Sequence, residues 1–176
     1  PVVGVNSLKY FWVARDPDGT ARDLARILEH YFKAWGKSRV MLIGYSQGAD
    51  VLPFMVSRLP PALRARIALV TLIGTDTAAT FDFAFGGFMS ERSQRPDLPV
   101  SPELRRLKGT KVLCVYSNVE DDSPCKKLPK ELATVLPVAG GHVYNHGLNV
   151  ITDRILKEAG LRSKNAPTPK IVKSDS

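Results

Sequence analysis

The chain has 176 residues, with 25 Lys and Arg against 17 Asp and Glu and a formal net charge of +8. That length is enough for one domain with a sizeable core. No apolar run approaches the roughly 20 residues of a membrane-spanning helix. The basic residues, among them Arg64, Arg66, Arg105, Arg106, Lys126, Lys127 and Lys130, are scattered and accompany no nucleic-acid motif. They form either a solvated surface or one drawn to an anionic membrane or an acidic partner.

Val2-Val3-Gly4-Val5 is a short β-branched run and predicts a buried parallel strand. Asp16-Pro17 offers an N-cap followed by proline at the first helical position, and Thr20-x-x-Asp23 is a looser capping signal. Leu24, Ile27, Leu28, Tyr31, Phe32 and Trp35 then follow one helical face, and Gly36 supplies the stop. Arg39–Ile43 predicts a strand, residues 47–59 a helix interrupted by Pro53, and Ile67–Ile73 the next buried strand. Residues 76–100 carry Phe81, Phe83, Phe85, Gly86, Gly87, Phe88 and Met89, and read either as a cap over the site or as a surface loop tucked down by its phenylalanines. Lys111–Tyr116 and Thr134–Val138 are further strands, and Asn145–Gly160 is a closing helix. The polar, Lys-rich stretch 163–176 reads as a disordered tail, leaving 1–162 as the domain. Strands alternating with helices predict an α/β fold with a mostly parallel sheet covered on both faces, and ligands then bind at the carboxyl ends of the strands.

The most informative stretch is Gly44-Tyr45-Ser46-Gln47-Gly48, placed between a strand and a helix. A G-x-S-x-G there is the nucleophile elbow of α/β-hydrolases. The turn is expected to be so tight that a Cβ at either glycine collides with its neighbours. It presents Ser46 at a helix N-terminus, where the N–H of Gln47 is the expected oxyanion donor. Two later loops also follow strands. One reads Ser117-Asn118-Val119-Glu120-Asp121-Asp122-Ser123-Pro124-Cys125, and the other Ala139-Gly140-Gly141-His142. The order Ser, acid, His is that of the α/β-hydrolases. A serine hydroxyl needs an imidazole to take its proton, and the imidazole needs a carboxylate to fix its tautomer. His142 is the expected base, with His146 its rival and His30 a surface or structural residue on its helix. Asp122 is the expected acid, ahead of Asp121 and Glu120, with Asp76 a minor alternative after another strand; Asp50 favours the dipole of the elbow helix. No cofactor is expected. Cys114 and Cys125 have no metal-ligand spacing, which argues against structural zinc and leaves a disulfide or two free thiols open.

Val3-Gly4-Val5-Asn6-Ser7-Leu8-Lys9-Tyr10-Phe11-Trp12, Gly44 to Phe54 (GYSQGADVLPF), Arg58-Leu59-Pro60, Asp122-Ser123-Pro124-Cys125 and Gly140-Gly141-His142 together resemble the VirJ/AcvB family of bacterial virulence proteins. The resemblance spans residues 2–160. It implies an α/β-hydrolase-like periplasmic serine esterase acting on aminoacylated phosphatidylglycerol and linked to type IV secretion. Ser46 is then the nucleophile, His142 the base, Asp122 the acid, and Cys114–Cys125 a disulfide bracing the acid loop. An Asp is expected where Asn6 stands, and a second His after Gly-Gly-His where Val143-Tyr144-Asn145-His146 stands. The chain starts at Pro1 without Met, so the first strands of the fold, the loop with a second oxyanion donor and any signal peptide are expected to lie upstream. The other class of function compatible with these features is a periplasmic interaction module for secretion components, with a vestigial hydrolase site.

Overall fold

The computed structural model describes residues 1–82, 96–120, 122–144 and 147–161. The long first helix forms where its signals place it. Helix α2 runs Pro17–Trp35, after a one-turn helix α1 at Ser7–Tyr10. The Asp16 carboxylate accepts from Gly19 N–H at 2.7 Å, and Gly36, at φ 59°, turns the chain out of the helix. Leu24, Leu28 and Phe32 enter the core, whereas Trp35 is exposed and its ring stacks on Tyr31 at 4.4 Å between centroids. Thr20 does not cap: it is buried inside the helix and its hydroxyl donates to the Pro17 carbonyl.

Four parallel strands follow, β1 at Val40–Tyr45, β2 at Ile67–Ile73, β5 at Val112–Ser117 and β6 at Thr134–Val138, in the spatial order β1-β2-β5-β6. The connections include helix α3 at Gln47–Ser57, a one-turn α4 at Pro61–Arg64, and α5 at Val100–Arg106; α6 at Leu148–Glu158 closes the fold. Side chains alternate across a strand, and both faces are covered. Val70, Leu72, Val112 and Cys114 pack with α2, α3 and α5, while Leu69, Leu113 and Val115 pack with Val138, Ile151 and Ile155. This two-sided burial is why β2 and β5 read as unbroken apolar runs.

The strand expected at Val2–Val5 does not form. Residues 1–6 carry no helix or strand, and Val2, Val3 and Val5 are 95%, 39% and 57% exposed. A strand exists only with a ladder partner, and no described strand pairs with this segment; β1, the outer member of the sheet, pairs with β2. Asn6 instead caps α1 by accepting from Lys9 N–H.

The stretch 76–100 begins and ends in a two-residue antiparallel pair, β3 at Ala78–Ala79 with β4 at Leu98–Pro99. Phe81 is buried against Phe11 and Phe54, with centroids 6.3 and 5.3 Å away. The other phenylalanines and Met89 of the expected cap lie outside the described residues, as do His146 and the 163–176 tail. Among the described residues, no helix is long and apolar enough to cross a membrane.

Cys114 of β5 and Cys125, in a 3₁₀ turn at Pro124–Lys127, form a disulfide with a Cα–Cα distance of 5.6 Å and both residues fully buried. The bond ties the far end of the acidic loop under the strand from which that loop departs. Replacing both cysteines by Ser is expected to cost about 3 kcal/mol through the freed unfolded chain, a loss of about 6–12 °C in Tm. Melting the parent with and without a thiol reductant, beside the double variant, checks it. An unchanged Tm would make the bond irrelevant to stability.

Candidate active site

Ser46 sits between β1 and α3 at φ 52° and ψ −126°. Left-handed φ is costly for a residue with a Cβ and persists where the surroundings impose it. The constraints are visible. Ser46 N–H donates to the Ile73 carbonyl of β2, and its own carbonyl accepts from Ala49 and Asp50 N–H. A Cβ on Gly44 would lie 2.3 Å from the Gly48 carbonyl oxygen and 2.8 Å from Ala49 Cα, so only glycine allows the helix to start this close to the strand. Gly48 is different: a Cβ there would meet nothing within 4 Å, and the expected collision at the second glycine is absent.

His142 lies in the loop after β6, as expected. Its Nε2 is 3.0 Å from Ser46 Oγ. Gly140, at φ 106°, provides the reversal that aims this loop, and its carbonyl accepts from the Ser117 hydroxyl. Tyr45 holds the loop from the other side, donating to the His142 carbonyl at 2.9 Å with the two rings 5.6 Å apart. Gly74, after β2, lies beneath the imidazole, since a Cβ there would be 2.8 Å from His142 Cε1.

The carboxylate on His142 is Glu120, not Asp122. Glu120 Oε1 is 2.8 Å from His142 Nδ1, and Asp122 is exposed. The cause is local. β5 ends at Ser117, and a turn closed by Glu120 N–H on the Ser117 carbonyl folds Glu120 back over the strand tip. Its extra methylene supplies reach. Asp122 is three residues from Cys125, which the disulfide holds beneath β5. The sequence signal for this was the Ser117-Asn118-Val119-Glu120 turn at the strand end. Asp121 lies outside the described residues. Asp76 is engaged with Thr77, its Oδ1 accepting from that residue's N–H and hydroxyl.

Gln47 opens α3, so its N–H belongs to the first turn, where amides have no intrahelical acceptor. Its side chain has a role the sequence did not reveal: Nε2 donates to the carbonyls of Thr80 and Asp82, tying the elbow to the base of the 76–100 stretch. The site is open, with the His142 side chain 44% and that of Glu120 31% exposed. Among the described residues, no cluster of His, Cys, Asp and Glu is arranged to hold a metal ion.

Asp50 is a buried anchor below the elbow. Its Oδ1 accepts from Thr75 Oγ1 at 3.0 Å and from Asp76 N–H at 2.7 Å, clamping the loop after β2 to α3. Burial pushes its carboxyl up to about 6, against the relief given by these two donors. A folded pKa above the unfolded one favours the protonated form. The contribution to stability is therefore present below the ordinary value of 3.8 and is lost as pH rises through about 6. Ionised Asp50 thus costs about 2–3 kcal/mol at neutral pH. Asp50→Asn retains an acceptor without the charge. It is expected to raise Tm by several degrees at pH 8 and leave it unchanged near pH 4, checked by melts across that range.

A parallel sheet covered on both faces, with a strained serine after one strand and the acid and histidine on loops after two others, defines an α/β-hydrolase fold. A solved structure agrees. An esterase from Rhodococcus sp. ECU1013 superposes with a TM-score of 0.52 at 15% identity, covering 84% of this chain and 74% of the other. At that identity the likeness speaks to the fold alone. A naproxen esterase from Bacillus subtilis gives 0.49 at 12% identity, covering 82% and 68%. The chain belongs to the bacterial virulence protein (VirJ) family, whose model matches residues 1–163. No curated protein matches it.

Proposed function

We propose that the protein is a periplasmic serine esterase that releases the amino acid from aminoacylated phosphatidylglycerol, lysyl-phosphatidylglycerol in particular, in support of virulence and type IV secretion. The observation that carries the reading is the hydrogen-bonded chain from Ser46 Oγ through His142 to Glu120. Ser46 Oγ attacks the ester carbonyl carbon as His142 Nε2 takes its proton. Glu120 holds the Nδ1 proton and stabilises the imidazolium. The N–H of Gln47 faces the oxyanion. Collapse of the tetrahedral adduct expels the lipid glycerol oxygen, which takes the proton from His142. Water, deprotonated by His142, then attacks the aminoacyl-enzyme; the acyl bond to Ser46 Oγ breaks, the proton passes from His142 to that oxygen, and the amino acid is freed.

The substrate class rests on the family resemblance, with three features in support. The disulfide suits an oxidising compartment. The net charge of +8 suits an anionic bilayer surface. The open site suits a substrate presented at that surface. The test is incubation with phosphatidylglycerol vesicles containing lysyl-phosphatidylglycerol, following free lysine and the remaining lipid by mass spectrometry. Lysine release that scales with enzyme supports the reading. Hydrolysis of simple aryl esters without lysine release would reject the substrate and keep the esterase.

A further inference from the structure

Among the described residues, two non-glycine residues have left-handed φ: Ser46 and Tyr144, the latter at 55°. An aromatic residue held there signals a constraint imposed by its surroundings. Tyr144 is 2% exposed and belongs to the core between the sheet and α6. Its backbone is fixed on both sides, its N–H donating to the Gly141 carbonyl and its carbonyl accepting from Gly147 N–H. The ring lies 6.2 Å from that of His142 and 6.5 Å from that of Tyr45. A Cβ on Gly74 would lie 3.1 Å from His142 Nδ1 and 3.3 Å from the Tyr144 hydroxyl, so both groups close over the same glycine.

The hydroxyl oxygen is buried and, among the described residues, has no hydrogen-bond partner of good geometry. A phenol in that position is costly unless it finds an acceptor. Burial first, and then the charge of Glu120, push its pKa up to about 12, so it remains a donor. Glu120 in turn is incompletely held. Oε1 meets His142 at 2.8 Å, but among the described residues Oε2 accepts only from the Ser117 N–H, at 3.4 Å. A glutamate has one more rotatable bond than an aspartate, and this one is partly exposed. A single short bond fixes neither its rotamer nor the oxygen it turns to the imidazole.

We propose that Tyr144 is a positioning residue for the acid of this site: its hydroxyl donates to the Glu120 carboxylate and keeps the other oxygen on His142 Nδ1. The inference rests on the reading of Ser46, His142 and Glu120 as a catalytic set, and its test also has a readout independent of activity. In Tyr144→Phe the ring and its packing remain. Glu120 then leaves His142 part of the time and the imidazolium loses its partner.

The experiment records the His142 Nδ1–H proton resonance by NMR, with fluorophosphonate labelling rates and Tm, in the parent, Tyr144→Phe, Glu120→Gln and the double variant. Tyr144→Phe is expected to move that resonance upfield, as the bond to Glu120 is held for less of the time, and to lower the labelling rate about tenfold. In the Glu120→Gln background the same change is expected to have no further effect on either. An unchanged resonance with a raised Tm, the signature of an idle buried hydroxyl removed, overturns the proposal. So does an equal shift in both backgrounds. A parent that shows the hydrogen-bonded resonance but never labels rejects the esterase reading and leaves the positioning role standing.

Discussion

Ser46→Ala is expected to abolish covalent labelling by a fluorophosphonate probe and to reduce ester hydrolysis about 10⁵–10⁶-fold. The magnitude follows from the division of labour at the site. Removing the nucleophile removes the covalent route and leaves only positioning and the oxyanion donor. Ser46 occupies a backbone conformation with φ 52° that alanine tolerates as well as serine does, so the fold is expected to survive. His142→Ala is expected to cost as much, because the two residues act as a unit and their losses do not add. Labelling of the parent that disappears in both variants establishes a serine hydrolase. Equal labelling of parent and Ser46→Ala would place reactivity elsewhere. No labelling at all, with partner binding intact in the Ser46→Ala chain, would shift the assignment to an interaction module.

What the sequence made legible was periodic or sterically specific. α2 announced itself through its cap, its 3–4 spacing and Gly36. β2 and β5 appeared as apolar runs because both faces of the sheet are covered. The elbow was readable because a Cβ at Gly44 would lie inside the backbone of α3, and His142 because it follows a strand and two glycines. What was not legible depended on partners distant in sequence. Val2–Val5 has the composition of a strand but no ladder partner among the described strands, and composition carries no information about pairing. Choosing among three adjacent acids required knowing where β5 ends and which way the chain turns. The pinning of Cys125 settles the second point, a tertiary fact the family resemblance supplied as an expectation and the structure as a bond. Tyr144 gave no sequence signal at all, since left-handed φ is not written in an aromatic residue.

The Ser117–Glu120 turn and the disulfide act together on the acid. The turn lifts Glu120 to the rim of the sheet, and the disulfide draws the chain after Asp122 back beneath it. Asp122 is therefore held away by the same covalent bond that braces the loop carrying Glu120. This explains how the Asp-Ser-Pro-Cys block can contribute to the family resemblance without its aspartate meeting the histidine.

Glu120→Gln is accordingly expected to lower kcat about 10³–10⁴-fold with little change in KM, whereas Asp122→Asn is expected to remain within about twofold of the parent. The glutamine amide is isosteric, so packing and the turn persist. It presents either an N–H to Nδ1, forcing the wrong tautomer on the imidazole, or a neutral oxygen that does not stabilise the imidazolium. Because this carboxylate is engaged with His142, the loss is expected in the chemical step and not in KM. Glu120→Asp shortens the side chain by one methylene and separates reach from charge. Placed on the same turn, its carboxylate falls short of Nδ1, and an intermediate loss of about 10²-fold is expected. The pair of single variants decides between the two carboxylates in one assay. A large loss confined to Asp122→Asn would mean that the loop rearranges when substrate binds and that Glu120 holds the histidine only in the unliganded protein.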